Sequence, residues 1–188
     1  MSRLQIIVAS TRPGRVGLPV GQWVESAASK HGGFDEVDLT DLAELDLPLM
    51  DEPNHPRLSR YTKQHTKDWA ARVGAADAFV FVLAEYNHSF TAGVKNAVDY
   101  LHNEWQYKPA GLVSYGGVSA GLRAAQAFKP VLQSLKVVPL VEAVTIPFVQ
   151  QFLDDDQVFT PNELVETSAN AMLDELGRWS GALAALRA

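Results

Sequence analysis

The sequence contains no cysteine, and this absence removes three kinds of chemistry together. Without a thiol there is no disulfide, no thiolate nucleophile and no thiolate ligand for a metal ion. A chain of 188 residues buries roughly two-thirds of the surface that its unfolded form exposes, so it needs neither a disulfide nor a metal for stability. We therefore expect no structural metal, and the composition suits a reducing cytosol.

The chain also lacks an excess of basic residues and any long apolar run. Its formal net charge is -6 and its pI is near 5.3, whereas a nucleic-acid partner normally requires a basic stripe. No apolar run approaches the ~20 residues that span a bilayer. Residues 1–5 pass directly into a strand-like run, which leaves no room for a signal peptide. We expect a cytoplasmic protein that binds neither nucleic acid nor a membrane.

Short apolar runs alternate with stretches of helical periodicity along the whole chain. The predicted strands are residues 4–9, 34–39, 77–84, 110–115 and 140–146. The predicted helices are residues 16–30, 65–73, 91–105, 119–135 and about 161–186. The remaining long stretch, residues 40–64, predicts an irregular surface connection. This alternation predicts one α/β domain over residues 1–188, with helices on both faces of a five-stranded parallel sheet.

Two strand orders are common for such sheets, and both bind ligands beyond the carboxyl ends of the strands. The loop after the first strand has the composition of an anion site there. It combines hydroxyl and guanidinium side chains with the start of a helix, in Ser10, Thr11, Arg12, Arg15, Val16 and Gly17. Unpaired amides at a helix start attract anions, and guanidinium pairs with phosphate bidentately. The alternative is that a hydroxyl caps the helix and both arginines are solvated.

Two further loops are expected at the same edge of the sheet. After the third strand come polar and aromatic residues, in the order Ala84, Glu85, Tyr86 and Asn87. After the fourth strand come paired glycines, within Tyr115, Gly116, Gly117 and Val118. Amide edges, ring faces and exposed backbone suit a flat heterocycle. The first loop is neither GxxxxGK[ST] nor GxGxxG, so a P-loop kinase and a Rossmann dehydrogenase lose their main support.

At these loops the chain resembles the NADPH-dependent FMN reductase family, a flavodoxin-like group. The family motif G-S-x-R-x-x-S corresponds to ASTRPGR at residues 9–15. The motif P-E-Y-N-x-S-x-P-G-x-L-K-N-A-I-D corresponds to AEYNHSFTAGVKNAVD at residues 84–99. The resemblance extends to about residue 146 and implies a three-layer flavodoxin-like sandwich with strand order 2-1-3-4-5.

The resemblance also implies FMN as cofactor and NADPH or NADH as co-substrate. By position, Ser10 and Arg12 hold the FMN phosphate, residues 85–87 line the isoalloxazine and ribityl groups, and residues 115–118 border the pyrimidine edge. Flavin N5 carries the hydride to a small acceptor such as a flavin, quinone, azo compound or chromate. No residue is therefore assigned an acid-base role, and no metal is implied.

The resemblance further implies a homodimer or homotetramer with the flavin near the interface. For Trp105 the default expectation is packing in the core or at a subunit interface. The alternative is that Trp105 and Tyr107 of a neighbouring subunit wall the flavin. The chain departs from the family pattern where Arg15 replaces a serine and Ala84 replaces a proline. Because fold does not fix function, two alternatives remain: a flavodoxin-like electron carrier and a non-catalytic regulatory module.

Overall fold

A computed structural model describes residues 1–187 of the chain. Within that range the strands are β1 (Arg3–Val8), β2 (Glu36–Asp41), β3 (Ala78–Ala84), β4 (Pro109–Tyr115) and β5 (Val138–Ile146). The α helices are α1 (Gly17–His31), α2 (Leu42–Leu45), α3 (Gln64–Ala75), α4 (Ala92–Asp99), α5 (Leu122–Ser134) and α6 (Glu163–Leu183). No helix among the described residues is both long enough and apolar enough to cross a membrane.

The five strands form one parallel sheet in the order β2-β1-β3-β4-β5, which confirms the implied topology. The chain moves outward from β1 to β2 and then returns to place β3 on the other side of β1. The carboxyl ends of β1 and β3 therefore flank the switch point at which such sheets bind ligands.

Helices cover both faces of the sheet, and β3 shows why. All seven of its residues are buried. Val80 and Val82 pack in the core beneath α1 and α6, whereas Phe79 and Phe81 pack in the core beneath α3, α4 and α5. Burying each such side chain contributes about 1.5–3 kcal/mol, so two covered faces favour a continuously apolar strand. The result is the expected three-layer sandwich.

The predicted helix over residues 91–105 is wrong in its second half. The α4 helix ends at Asp99, and Asn103–Trp105 forms a separate 3-10 turn. Trp105 is fully buried, and its Nε1 donates to the carbonyl of Val98 at 3.1 Å. Tyr107 comes just before β4, with its backbone N–H bonded to Lys136. Trp105 is thus a core residue and is not available to wall the flavin of a neighbouring subunit, whereas that role for Tyr107 stays a prediction.

The other boundaries differ from prediction by a few residues. The predicted irregular connection over residues 40–64 is shorter in the structure, because Thr40 and Asp41 belong to β2 and Gln64 begins α3. Between β2 and α3 the regular elements are α2 and a 3-10 turn at Pro56–Leu58. The closing helix α6 ends at Leu183 and is followed by a 3-10 turn at Ala184–Leu186. These differences leave the loops at the carboxyl edge where the sequence predicts them.

Candidate active site

A cavity of about 430 Å³ opens at the carboxyl edge of the sheet, between the loops that follow β1, β3, β4 and β5. Ten of the predicted site residues line it: Ser10, Arg12, Arg15, Val16, Ala84, Glu85, Tyr86, Tyr115, Gly116 and Gly117. The loop after β5 also lines it, with Phe148, Val149, Gln150 and Gln151. Sequence reasoning missed that loop, although a fifth parallel strand ending at the same edge is itself a signal.

A second cavity of about 410 Å³ adjoins the first and shares some of its walls. It takes in the predicted residues Thr11 and Asn87 together with the start of α4. Two predicted residues line neither cavity. Gly17 is buried beneath the first loop, and Val118 is 80% exposed.

The first turn of α1 is left without a side-chain cap. The N-cap position is Val16, and within residues 1–187 no side chain accepts a hydrogen bond from the amides of this turn. The alternative in which Ser10 or Thr11 caps the helix is therefore wrong. The free amides and the helix dipole make this turn favourable for an anion.

The hydroxyl of Tyr115 lies against the first turn of α1. It can do so because residue 17, in that turn, is a glycine. A Cβ on Gly17 would lie only 2.7 Å from the Tyr115 hydroxyl oxygen. Burial raises the pKa of Tyr115 to about 12. The hydroxyl therefore stays protonated at neutral pH and can donate a hydrogen bond near the first loop.

The two arginines of the first loop differ in their surroundings. Arg15 donates to the carboxylate of Asp41, which is buried and also accepts from the backbone N–H of Ala43 at 3.0 Å to cap α2. Arg12 is exposed and forms no ion pair with any residue from 1 to 187. The charge of Arg15 is thus already matched, and Arg12 is the cation with charge to offer at this turn.

The loop after β3 is built on a tight turn from Tyr86 to Ser89. These two residues exchange backbone hydrogen bonds of 2.9 Å in both directions. The two residues between them, Asn87 and His88, have φ values of 49° and 65°. Two positive φ values in succession are typical of a type I′ turn, which asparagine accommodates well. The turn holds the ring of Tyr86 at the cavity.

An ion pair fastens this loop to the glycine-rich loop after β4. Arg123, in the first turn of α5, donates from Nε to the Glu85 carboxylate at 2.6 Å and from its backbone N–H at 3.2 Å. Its Nη1 lies 2.9 Å from Nε2 of His88. Burial alone would raise the pKa of Glu85, but hydrogen bonds from Ser119 and Arg123 outweigh it and hold the pKa below its usual value. Arg123 carried no sequence signal of its own.

We expect Arg123→Gln to destabilise the ligand-free protein by about 1–2 kcal/mol at pH 7, because it leaves the Glu85 carboxylate without its partner. The pair stabilises the fold fully above the ordinary glutamate pKa of 4.5, and this contribution is lost as the pH falls through the lowered folded-state value. Urea unfolding of both proteins at several pH values should therefore show a difference that shrinks below pH 4.5.

Arg178→Gln is the matched control, because Arg178 forms an exposed pair with Glu175 on α6. That substitution should change stability by less than about 0.5 kcal/mol at every pH. An equal loss of stability in Arg123→Gln and Arg178→Gln would contradict a special role for the ion pair between Glu85 and Arg123.

Comparison with known proteins now settles the family. Residues 2–151 match the family model described as NADPH-dependent FMN reductase. The chain belongs to that family. An NAD(P)H-dependent FMN reductase of Schizosaccharomyces pombe is 38% identical over 167 residues, which cover 84% of this chain and 82% of that protein. An NAD(P)H-dependent FMN reductase of a Nectria species is 35% identical over 156 residues, covering 79% and 76%.

Among solved structures, the flavoenzyme FerB of Paracoccus denitrificans, an NAD(P)H:(acceptor) oxidoreductase, superposes with a TM-score of 0.76. The two share 20% sequence identity, and the match covers 97% of this chain and 98% of that one. At this identity the likeness confirms the flavodoxin-like fold alone.

Family membership confirms the resemblance and, at the level of the family, the expected FMN and nicotinamide cofactors. The chain is an oxidoreductase of the FMN reductase type. The assignments of individual residues to FMN stay predictions.

Proposed function

We propose that this reductase binds FMN in the cavity at the carboxyl edge of its sheet and passes hydride from NADPH or NADH to a small acceptor. The observation that carries the proposal is the unpaired Arg12 beside the uncapped start of α1, in one cavity with an exposed glycine backbone. When bound, FMN supplies the hydride chemistry.

The side chains present fit a phosphorylated flavin. Arg12, the hydroxyl of Ser10 and the free amides of α1 form a donor set for the phosphate. A Cβ added at Gly117 would meet nothing within 4 Å, so the cavity wall has room for a flat ring against the backbone. The ion pair between Glu85 and Arg123 holds together the loops after β3 and β4, against which the flavin ring is proposed to lie.

The proposal includes an acceptor site on the open side of the same cavity. The apolar wall formed by Val149 and the rings of Tyr86 and Phe148 suits a small organic acceptor, such as a quinone, an azo compound or a free flavin. Chromate, an inorganic anion, is a further candidate.

The proposal also includes a homodimer or homotetramer. Leu49 and Leu58 project from the segment between α2 and α3 as exposed apolar side chains. Contact with a second copy of the chain would cover these side chains, and this supports the proposal of an oligomer.

The function is tested by colour. Protein loaded with FMN should be yellow, should bleach when NADPH or NADH is added without oxygen, and should regain its colour with an acceptor. A panel of acceptors at fixed NADPH then ranks the candidates. Protein that takes up no FMN would refute the proposal, and bound FMN that neither nucleotide bleaches would favour an electron carrier instead.

A further inference from the structure

Phe148 occupies a backbone conformation that bulky side chains avoid. It follows β5 with φ 47° and ψ 48°, in the left-handed region. A bulky residue is an outlier there, and such outliers cluster where surrounding structure fixes them for a function. Its side chain is 50% exposed and lines the cavity.

Backbone hydrogen bonds from the glycine-rich loop hold this conformation in place. The N–H of Phe148 donates to the carbonyl of Gly117 at 3.1 Å, and the N–H of Val149 donates to the carbonyl of Gly116 at 3.1 Å. Val149 is buried in the core, which anchors the segment from below. The loop is thus fixed by its backbone and by its neighbour, and the phenyl ring is not needed to hold it.

The ring has no aromatic partner within residues 1–187, unlike the nearby Phe152, which lies 5.7 Å from Phe159. The ring of Phe148 instead lines the cavity, which Tyr86 also lines from the loop after β3. Two half-exposed aromatic side chains on different loops therefore border one cavity with a glycine backbone wall. Aromatic faces attract flat rings in offset or edge-to-face arrangements.

We propose that Phe148 is a specificity-determining residue that stacks on the acceptor and favours planar conjugated acceptors over inorganic oxidants. This inference rests on the proposed function. A quinone that takes up a hydride and one proton from solvent leaves as a hydroquinone, so its ring stays planar throughout. Octahedral ferricyanide, a one-electron acceptor, offers no face for stacking.

Phe148→Gly tests the proposal because it removes the ring and the backbone strain in one change. Glycine populates positive φ freely, so the thermal midpoint of the FMN-free protein should stay unchanged or rise. The value of kcat/KM for a benzoquinone should fall about tenfold, as expected for a lost aromatic contact. The value for ferricyanide should change less than about twofold, since that acceptor cannot stack.

A binding measurement complements the kinetics. Naphthoate is planar and accepts no hydride, so its titration into oxidised FMN-loaded protein reports stacking without turnover. Its Kd, read from the flavin absorbance, should rise about tenfold in Phe148→Gly. Phe148→Tyr keeps a ring at this position and should restore both the naphthoate affinity and the quinone kcat/KM.

Three outcomes would overturn the proposal. These are equal losses for benzoquinone and ferricyanide, a lowered thermal midpoint in Phe148→Gly, and dissociation of an oligomer in that variant. The last two would assign the ring to packing or to contact between copies. If wild-type protein fails to bleach with either nucleotide, the proposed function fails, and naphthoate binding still tests the ring.

Discussion

Replacing Arg12 with alanine should weaken FMN binding by roughly ten- to a hundredfold, because it removes a charge-assisted contact to the phosphate. The side chain is exposed and forms no ion pair with the described residues, so its loss should leave the folded protein intact. Titration of FMN into the FMN-free protein, followed by quenching of flavin fluorescence, measures the effect.

Riboflavin and Arg15 provide the matched controls for this experiment. Riboflavin lacks the phosphate, so its affinity should be the same in wild type and Arg12→Ala. Arg15→Ala should act mainly on stability, because it leaves the buried Asp41 carboxylate without its partner. An unchanged FMN affinity in Arg12→Ala would place the anion site elsewhere. A larger loss of FMN affinity in Arg15→Ala than in Arg12→Ala would mean that Arg15 leaves Asp41 and binds the phosphate.

The fold was predictable because its main signals are local. The run DAFVFVLA makes β3 unmistakable, and its continuous apolar character reports a strand covered on both faces. The order of the strands was not local information, since two orders fit the same alternation and family resemblance selected one of them. The premature end of α4 escaped prediction because the burial of Trp105 against the sheet overrides helical periodicity.

The sequence predicted the residues of the loops after β1, β3 and β4. It did not predict the ion pairs that these residues form. Ser10, Arg12 and the glycines carry their chemistry in local sequence. The partners of Arg15 and Glu85 lie 26 and 38 residues away along the chain, so only the folded sheet edge brings them together. Phe148 carried no signal, since an aromatic residue beside a strand end is usually core.

Replacing Gly121 with alanine should cost the FMN-free protein about 2–4 kcal/mol, the sum of left-handed strain and forced overpacking. Its φ is 75°, and an added Cβ would lie 2.6 Å from the backbone nitrogen and 2.7 Å from the carbonyl oxygen of Tyr115. Neither atom can move aside easily, because the end of β4 is held in the sheet beside β3 and β5. Urea unfolding at neutral pH measures this loss.

Gly117→Ala is the counterpart that separates stability from binding. An added Cβ there meets nothing within 4 Å, and the residue is exposed at the cavity. Its free energy of unfolding should therefore change by less than about 0.5 kcal/mol. The FMN affinity should fall nevertheless, because the methyl group would occupy space against which the flat ring is proposed to lie. An unchanged free energy of unfolding in Gly121→Ala would contradict a rigid end of β4. An unchanged FMN affinity in Gly117→Ala would mean that the flavin ring does not lie against this loop.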